Sequence, residues 1–398
     1  MKKPVYIILS LLLIITGCKA REEKQQVPVA VNGYIDLSSW DFEEFGTINL
    51  TGEWLFAWKR LITPEDINGL TVEEAPGSFL FPETIDIPGI WNKKKIAGKN
   101  IPGSGYATFM LSVYLPETCK ENVIAFKMPY MYTAYTMWIN GKKAAINGRV
   151  GTDKESMAAQ YLPQVASYTP RRTTLTIIIQ VSNFLHRKGG MPEPIQIGNF
   201  RDISNKRVKK LAFELFIAGS LFIMGFYNLI LFLYRRKSRH TLYFGVYCFA
   251  IVLRTLLMGE RFFYVMFPNF PWFLGQKLDY LSIILVFPFF ILFLRSLFIK
   301  EMIRYVPEVN LVICIIFSLL VVVMPARIFT HFLKYFQGVI VILGIITIYV
   351  LIRASVNKRS GAVTILIGAL IYFITAINDV LYNNGIIYTG FLYNNFYV

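Results

Sequence analysis

Apolar residues follow three different patterns along the chain. A short apolar stretch runs from Val5 to Ile15, alternating apolar and polar positions fill residues 30–203, and long apolar runs follow one another from Leu211 onwards. Alternation with a period of two is typical of half-buried strands, whereas apolar runs of about 20 residues are typical of membrane-spanning helices. The pattern predicts an exported all-β jelly-roll or sandwich domain followed by an all-α multi-pass membrane helix bundle.

The β-rich stretch carries strong local signals. Trp54, Phe56 and Trp58 alternate, which places them on one face of a strand. Asn140-Gly141 lies between two strand-like runs, and because both residues tolerate a positive φ, the pair predicts a hairpin. Many short segments separated by turn residues predict a β-sandwich sensor domain over residues 30–203.

The apolar runs define a membrane domain over residues 207–398. The first run, of 24 residues, is long enough as a helix to cross a hydrocarbon core about 30 Å thick. A seventh span begins at residue 385 and is cut off by the chain end, so we expect a C-terminally truncated bundle. The six complete spans are predicted at 211–234, 241–259, 279–299, 309–325, 333–353 and 361–381.

Basic residues in the short loops predict the orientation of these spans. Nine of them follow the first, third and fifth spans, whereas the opposite loops carry few. Positively charged loops remain in the cytoplasm, so the β-rich domain is predicted outside it. The nine residues are Arg235, Arg236, Lys237, Arg239, Lys300, Arg304, Arg353, Lys358 and Arg359.

The N-terminal segment predicts export and lipidation. A basic start, an apolar core and small residues before a cleavage site make a secretory signal peptide over residues 1–17. Cys18 follows Ile15-Thr16-Gly17, which resembles the bacterial lipobox, so Cys18 is the predicted lipidation site. The polar residues after it complete a tether over 18–29. The predicted location is the bacterial inner (plasma) membrane.

Composition excludes several classes of protein. Hydrophobic residues make up 55% of the chain and mean hydropathy is +0.47, which argues against a soluble cytosolic enzyme and against disorder. The net charge of +16 lies mainly beside apolar segments, so topology explains it and no nucleic-acid partner is expected. The sequence shows no catalytic motif and no metal-binding pattern. We therefore expect no enzyme activity, cofactor or metal within residues 1–398.

Two aromatic residues are candidates for ligand binding. Trp91 follows Pro88-Gly89-Ile90 and precedes three lysines, which predicts a loop position, and Tyr106 ends a glycine-rich segment. Exposed aromatic rings can stack on sugar rings, so a carbohydrate is a candidate ligand. The alternative is that the tryptophans fill the core, and the alternation of Trp54 and Trp58 favours it for those two.

Four ionisable residues lie near the predicted outer ends of the spans. They are Glu214, Arg254, Asp279 and Asp379. Charged groups in a membrane usually face the bundle interior, which predicts a polar cluster that couples the β-rich domain to helix packing. The alternative is that each side chain reaches the interface separately.

Short segments in both halves resemble the bacterial seven-transmembrane receptors with diverse intracellular signalling modules. Their order and spacing give the resemblance, which covers about residues 35–395. In the β-rich half they are Gly52-Glu53-Trp54-Leu55-Phe56, Ile87-Pro88-Gly89-Ile90-Trp91, Gly105-Tyr106-Ala107-Thr108-Phe109, Trp138-Ile139-Asn140-Gly141 and Gln180-Val181-Ser182-Asn183-Phe184. In the apolar half they are Gly225-Phe226-Tyr227-Asn228-Leu229, Tyr243-Phe244, Leu253-Arg254-Thr255, Gly259-Glu260 and Asn378-Asp379-Val380-Leu381.

The resemblance implies a jelly-roll sensor domain and a seven-helix bundle that drives a cytoplasmic kinase, cyclase or phosphatase module. The implied partners are the lipid bilayer, a small molecule such as a carbohydrate, and either a separate cytoplasmic protein or a module beyond residue 398. Two other functions remain open, namely a membrane-anchored glycan-binding module and a transporter-associated binding protein. Neither of these would signal.

Overall fold

The computed structural model describes residues 26–67 and 79–383. Within these ranges a β-rich domain, here called the β-domain, precedes a bundle of long helices, which confirms the predicted fold class. The predicted signal peptide, Cys18 and the predicted seventh span from 385 lie outside the described residues.

Two sheets make up most of the β-domain. The larger has the strand order β11-β10-β13-β8-β3-β4, with β1 paired to β8, and the smaller has the order β12-β9-β15-β2. The strands are β1 (Tyr34–Asp36), β2 (Ile48–Asn49), β3 (Gly52–Trp58), β4 (Glu83–Ile87), β5 (Gly89–Ile90), β6 (Lys95–Ile96), β7 (Lys99–Asn100), β8 (Gly105–Tyr114), β9 (Ile124–Lys127), β10 (Ala134–Ile139), β11 (Lys142–Asn147), β12 (Val165–Tyr168), β13 (Thr174–Asn183), β14 (Gly190–Met191) and β15 (Gln196–Asn199).

The main core lies between the two sheets. Phe126 and Ile197 of the smaller sheet join the same buried cluster as Leu111 and Ile177 of the larger. β8 and β13 pair antiparallel over their full length, because both consist largely of β-branched and apolar residues that pack on a pleated surface. The domain is therefore a two-layer sandwich.

Local turn chemistry produced one hairpin as predicted. Asn140 and Gly141, with φ values of 46° and 79°, join β10 to β11. β3 differs from the prediction of one buried face, because Trp54 to Ala57 are all buried. Ile62 and Phe81 cover the outer face of the sheet there, so neither side of the strand faces solvent.

Six helices in the described ranges are long and apolar enough to cross a membrane. They are numbered together with one short helix, α3. The helices are α1 (Phe200–Tyr234), α2 (Arg239–Leu257), α3 (Phe262–Met266), α4 (Trp272–Leu297), α5 (Val306–Val323), α6 (Ala326–Val356) and α7 (Ala362–Asn383).

The first helix continues directly from the β-domain. β15 ends at Asn199 and α1 begins at Phe200. The sequence places the first span at 211, where the apolar run begins, but helical hydrogen bonding starts 11 residues earlier, in a polar segment anchored to the sandwich. Ile203 is fully buried, and Lys206 Nζ donates to Thr47 Oγ1 at 2.7 Å. At 35 residues the helix is about 52 Å long.

Candidate ligand-binding cavity between the β-domain and the helices

A cavity of about 1080 Å³ separates the smaller sheet from the helix ends. Its walls come from the loops after β9 and β13 in the β-domain and from α2, α4, α6 and α7 in the bundle. Its volume slightly exceeds the usual range for small-molecule sites, about 300–1,000 Å³. Both domains line it, so a molecule held there would contact both.

Glu260 joins the two domains at the edge of this cavity. Its side chain is 4% exposed, and its carboxylate lies 2.5 Å from Lys127 Nζ, 3.4 Å from Arg207 Nε and 3.7 Å from Lys210 Nζ. Lys127 belongs to β9, whereas Arg207 and Lys210 belong to α1. One buried carboxylate therefore fixes the sheet, the first helix and the loop after α2 to one another.

A glycine allows a second carboxylate to approach the same loop. Gly259 has a φ of +59°, and a Cβ atom there would lie 2.1 Å from Glu214 Oε1. The backbone N–H of Glu260 donates to Glu214 Oε2 at 3.1 Å. Only glycine accommodates both the backbone conformation and this close approach without strain.

Arg261 and a group of tyrosines form a second contact between the domains. The Arg261 guanidinium lies 4.6 Å from the ring centre of Tyr130 and 4.5 Å from that of Tyr161. The two hydroxyls are hydrogen-bonded at 2.7 Å, and Gln276 of α4 donates to the hydroxyl of Tyr161. Burial raises the pKa of Tyr130 and Tyr161 well above the usual range, so both stay protonated.

The four predicted coupling residues come close to this interface. Arg254 Nη1 and Asp279 Oδ1 are 3.4 Å apart, and both residues line the cavity together with Asp379. Glu214 contacts the loop next to it through Glu260. Among the four, Arg254 and Asp279 are in direct contact, and the proposed coupling role of the set stays a prediction. Asp279 lies two turns inside α4, which begins at Trp272 and not at 279.

The structure places the two predicted ligand residues elsewhere. Trp91 was expected on an exposed loop, and this placement is wrong, because a single turn of 3-10 helix buries it completely. Its ring packs against Trp58 and Phe109, and its Nε1 donates to the carbonyl of Gly103 at 3.2 Å. Tyr106 is half-buried in β8 and does not line the cavity.

Sequence reasoning did not select the residues that dominate the interface. Glu260 and Arg261 lie in the short loop after α2, and Lys127 and Tyr161 are more than 90 residues away from them. The only signal was the Gly259-Glu260 pair among the resembling segments. No group of three His, Cys, Asp or Glu side chains within residues 26–67 and 79–383 is arranged to hold a metal ion.

His186 lies buried on the cavity wall, where its surroundings lower its pKa. Its ring stacks on Tyr132 with centroids 4.3 Å apart, and its Nδ1 lies 3.1 Å from the backbone nitrogen and 3.2 Å from the carbonyl oxygen of Lys188. Burial lowers the pKa of His186 to about 3, and the positive charges of Arg187, Lys188 and His331 act in the same direction, opposed by a backbone hydrogen bond. The native protein therefore keeps this imidazole neutral.

We expect acid to destabilise the protein through His186. The unfolded chain takes up a proton near pH 6.5 and the native state does not, so stability falls as the pH drops from about 6.5 towards 3, by about 2 kcal/mol between pH 7 and pH 5. Denaturant unfolding followed by tryptophan fluorescence measures this. His186→Asn, which cannot titrate, is expected to show a correspondingly smaller loss. Equal losses in the two proteins would rule out His186 as the source.

Comparison with known proteins gives one family match. Residues 210–398 match the family described as 7TM diverse intracellular signalling. No curated protein matches the sequence.

Among solved structures, the similar chains include three β-glucuronidases. They come from Ruminococcus gnavus (15% identity, TM-score 0.27), an uncultured Clostridium sp. (13%, 0.29) and Faecalibacterium prausnitzii (13%, 0.28). Each match covers 38% of this chain and 28%, 28% and 31% of those chains, respectively. This chain therefore spans less than a third of each of them, and at these TM-scores we draw nothing from the likeness.

Proposed function

We propose, from the match of residues 210–398 to the family described as 7TM diverse intracellular signalling, that the protein is the sensing and membrane portion of a transmembrane receptor. In this proposal the β-domain lies outside the cytoplasm of a bacterial cell, and the helices span the inner membrane. A small molecule binds in the cavity, and the signal passes through the bundle to a cytoplasmic module or partner.

One observation carries this proposal, namely that both domains line the cavity. A ligand shifts an equilibrium between two arrangements only if it binds them with different affinity. A molecule that touches both the β-domain and the helices has contacts that change when the domains move relative to each other. A site enclosed within the sandwich would lack that property.

The ligand we propose is a small polar molecule, and carbohydrates are the first class to test. Tyr130, Tyr132 and Tyr161 line the cavity beside charged and amide side chains. Aromatic rings combined with a few polar groups are typical of sites that bind polar rings.

The far end of the bundle offers a readout. The Glu301 side chain, 1% exposed, accepts from Arg359 Nε at 2.7 Å and from Asn357 Nδ2 at 3.2 Å. This contact joins the loop after α4 to the loop after α6. A change in helix packing is expected to alter the protection of both loops, which carry several of the basic residues that support a cytoplasmic location.

The experiment is hydrogen exchange on the full chain in lipid nanodiscs, with and without each member of a panel of saccharides. A ligand is expected to protect cavity residues and to change exchange in residues 299–305 and 357–361. Arg254→Glu places a like charge beside Asp279 and is expected to abolish the distant change while leaving protection of the β-domain loops. Arg327→Glu, an exposed charge reversal outside the cavity, serves as the control. An intact distant change in Arg254→Glu would refute coupling through this pair.

A further inference from the structure

A short loop between β13 and β14 presents positive charge to the cavity. It carries Arg187 and Lys188, and Lys93 from the turn after β5 lies beside it. All three side chains line the cavity. We call residues 183–190 the cationic loop.

Two asparagines hold the backbone of the cationic loop. Asn183 Nδ2 lies 2.7–2.8 Å from the carbonyl oxygens of Gly103, His186 and Lys188. Asn92 donates to the carbonyl of Arg187 and accepts from the N–H of Gly189, both at 3.0 Å. These hydrogen bonds fix the backbone of the loop.

Trp91 packs against the same loop. Its backbone N–H donates to the carbonyl of Gly189 at 3.0 Å, and a Cβ atom on Gly189 would lie 2.2 Å from its ring. Gly103 is equally close to the loop, since a Cβ there would lie 2.1 Å from the carbonyl oxygen of Arg187. Two of the segments that carry the family resemblance, ending in Trp91 and Phe184, thus form the support of the cationic loop.

The charges on the loop repel one another. Burial lowers the pKa of Lys188 to about 8, and the neighbouring charges that lower it further are Arg187 and Lys93, both positive. The buried Nε of Arg187 has no hydrogen-bond partner among the described residues. A rigid backbone that holds like charges together at a cavity wall is preorganised for an anion, because the cost of bringing the charges together is met in folding.

We propose that the cationic loop binds an anionic oxygen group, a phosphate or a carboxylate, of the molecule that occupies the cavity. This deepens the proposed receptor function and rests on it. Arg187 supplies a guanidinium that recognises such groups in a bidentate manner, and Lys188 and Lys93 add point charges. Tyr132, whose ring stacks on His186 of the loop, lines the same cavity.

The test measures binding of inorganic phosphate to the full chain in phosphatidylcholine nanodiscs, by calorimetry at constant ionic strength. Phosphate is expected to bind, and the double variant Arg187→Gln/Lys188→Gln is expected to weaken its Kd by about tenfold or more. Lys142→Gln/Lys143→Gln, two exposed lysines on the β11 hairpin, is the matched control, with an expected change within about twofold. Because like charges are removed, the first variant is expected to keep or raise the Tm without phosphate, so loss of folding does not obscure the result.

Two further arms distinguish the source of the anion and the level at which the proposal fails. Glucose 6-phosphate is compared with glucose, and phosphatidylglycerol nanodiscs with phosphatidylcholine nanodiscs. If phosphatidylglycerol competes with phosphate, the bound anion is a lipid headgroup. If phosphatidylglycerol does not compete, the bound anion is a free one, and either result supports the anion site. The anion site is overturned if the unaltered chain and its Arg187→Gln/Lys188→Gln variant bind phosphate equally, or if neither binds it. This holds even if a neutral sugar changes hydrogen exchange in the bundle. If phosphate binds but hydrogen exchange in the bundle does not change, the proposed receptor function is overturned and the anion site is retained.

Discussion

Trp91→Ala is expected to lower the free energy of unfolding by about 3–5 kcal/mol, the usual cost of removing a large buried aromatic side chain. The indole is fully buried between Trp58 and Phe109 and supports Gly189 of the cationic loop. Denaturant unfolding of the full chain, followed by far-ultraviolet circular dichroism, measures the change.

Two comparisons separate this structural role from the ligand role expected from the sequence. Trp91→Phe keeps a ring in the core and is expected to recover much of the loss. Phe79→Ala removes an aromatic side chain that is 83% exposed and is expected to cost less than about 1 kcal/mol. Normal stability of Trp91→Ala with impaired ligand binding would contradict the structure and favour the ligand role.

Glu260→Gln is expected to destabilise the junction between the β-domain and the bundle by about 2–3 kcal/mol. The substitution removes the one carboxylate that pairs with Lys127, Arg207 and Lys210 together, and removing one partner of a buried ion pair is costly. The value lies below that of a fully buried pair, because the three cations are each 24–30% exposed. A lower Tm and faster hydrogen exchange in residues 258–261 would show the loss.

Glu193→Gln is the matched control, since Glu193 lines the same cavity. Burial raises the pKa of Glu193, although the nearby cations Arg261, Lys210 and Lys127 oppose this. Glu193 is not among the described ion pairs, so its neutral analogue is expected to change stability by less than about 0.5 kcal/mol. Equal effects of the two glutamine substitutions would refute the special role of Glu260.

The features predicted well from the sequence depend on local chemistry. Asn140-Gly141 makes its hairpin because both residues accept a positive φ, whatever surrounds them. The spans follow from the length of apolar runs, since a helix must bury its backbone polar groups in lipid. The predicted starts of two helices were less accurate, because α1 and α4 begin earlier, in polar turns that are stabilised by contacts with the rest of the protein.

The site depends on contacts between distant parts of the chain, which a single sequence does not reveal. Lys127 and Glu260 are 133 residues apart, and nothing in either segment indicates that they meet. Trp91 failed as a predicted exposed residue because the three lysines after it suggested a solvated loop, whereas the glycine at 189 provides the space that buries it. By contrast, Arg254 and Asp279 were selected because charges in apolar helices usually face the bundle interior, and their side chains lie 3.4 Å apart.

Because β15 continues directly into α1, the first helix is expected to move with the β-domain as a rigid body. The helix is about 52 Å long and starts without any joint, so the sandwich and the helix tilt together. A tilt of about 10° at the sandwich would displace the opposite end of a straight rod of that length by roughly 9 Å. That is nearly the distance between the axes of two packed helices. If the proposed receptor tilts in this way around a ligand, α1 would contact a different neighbour at the opposite end of the bundle.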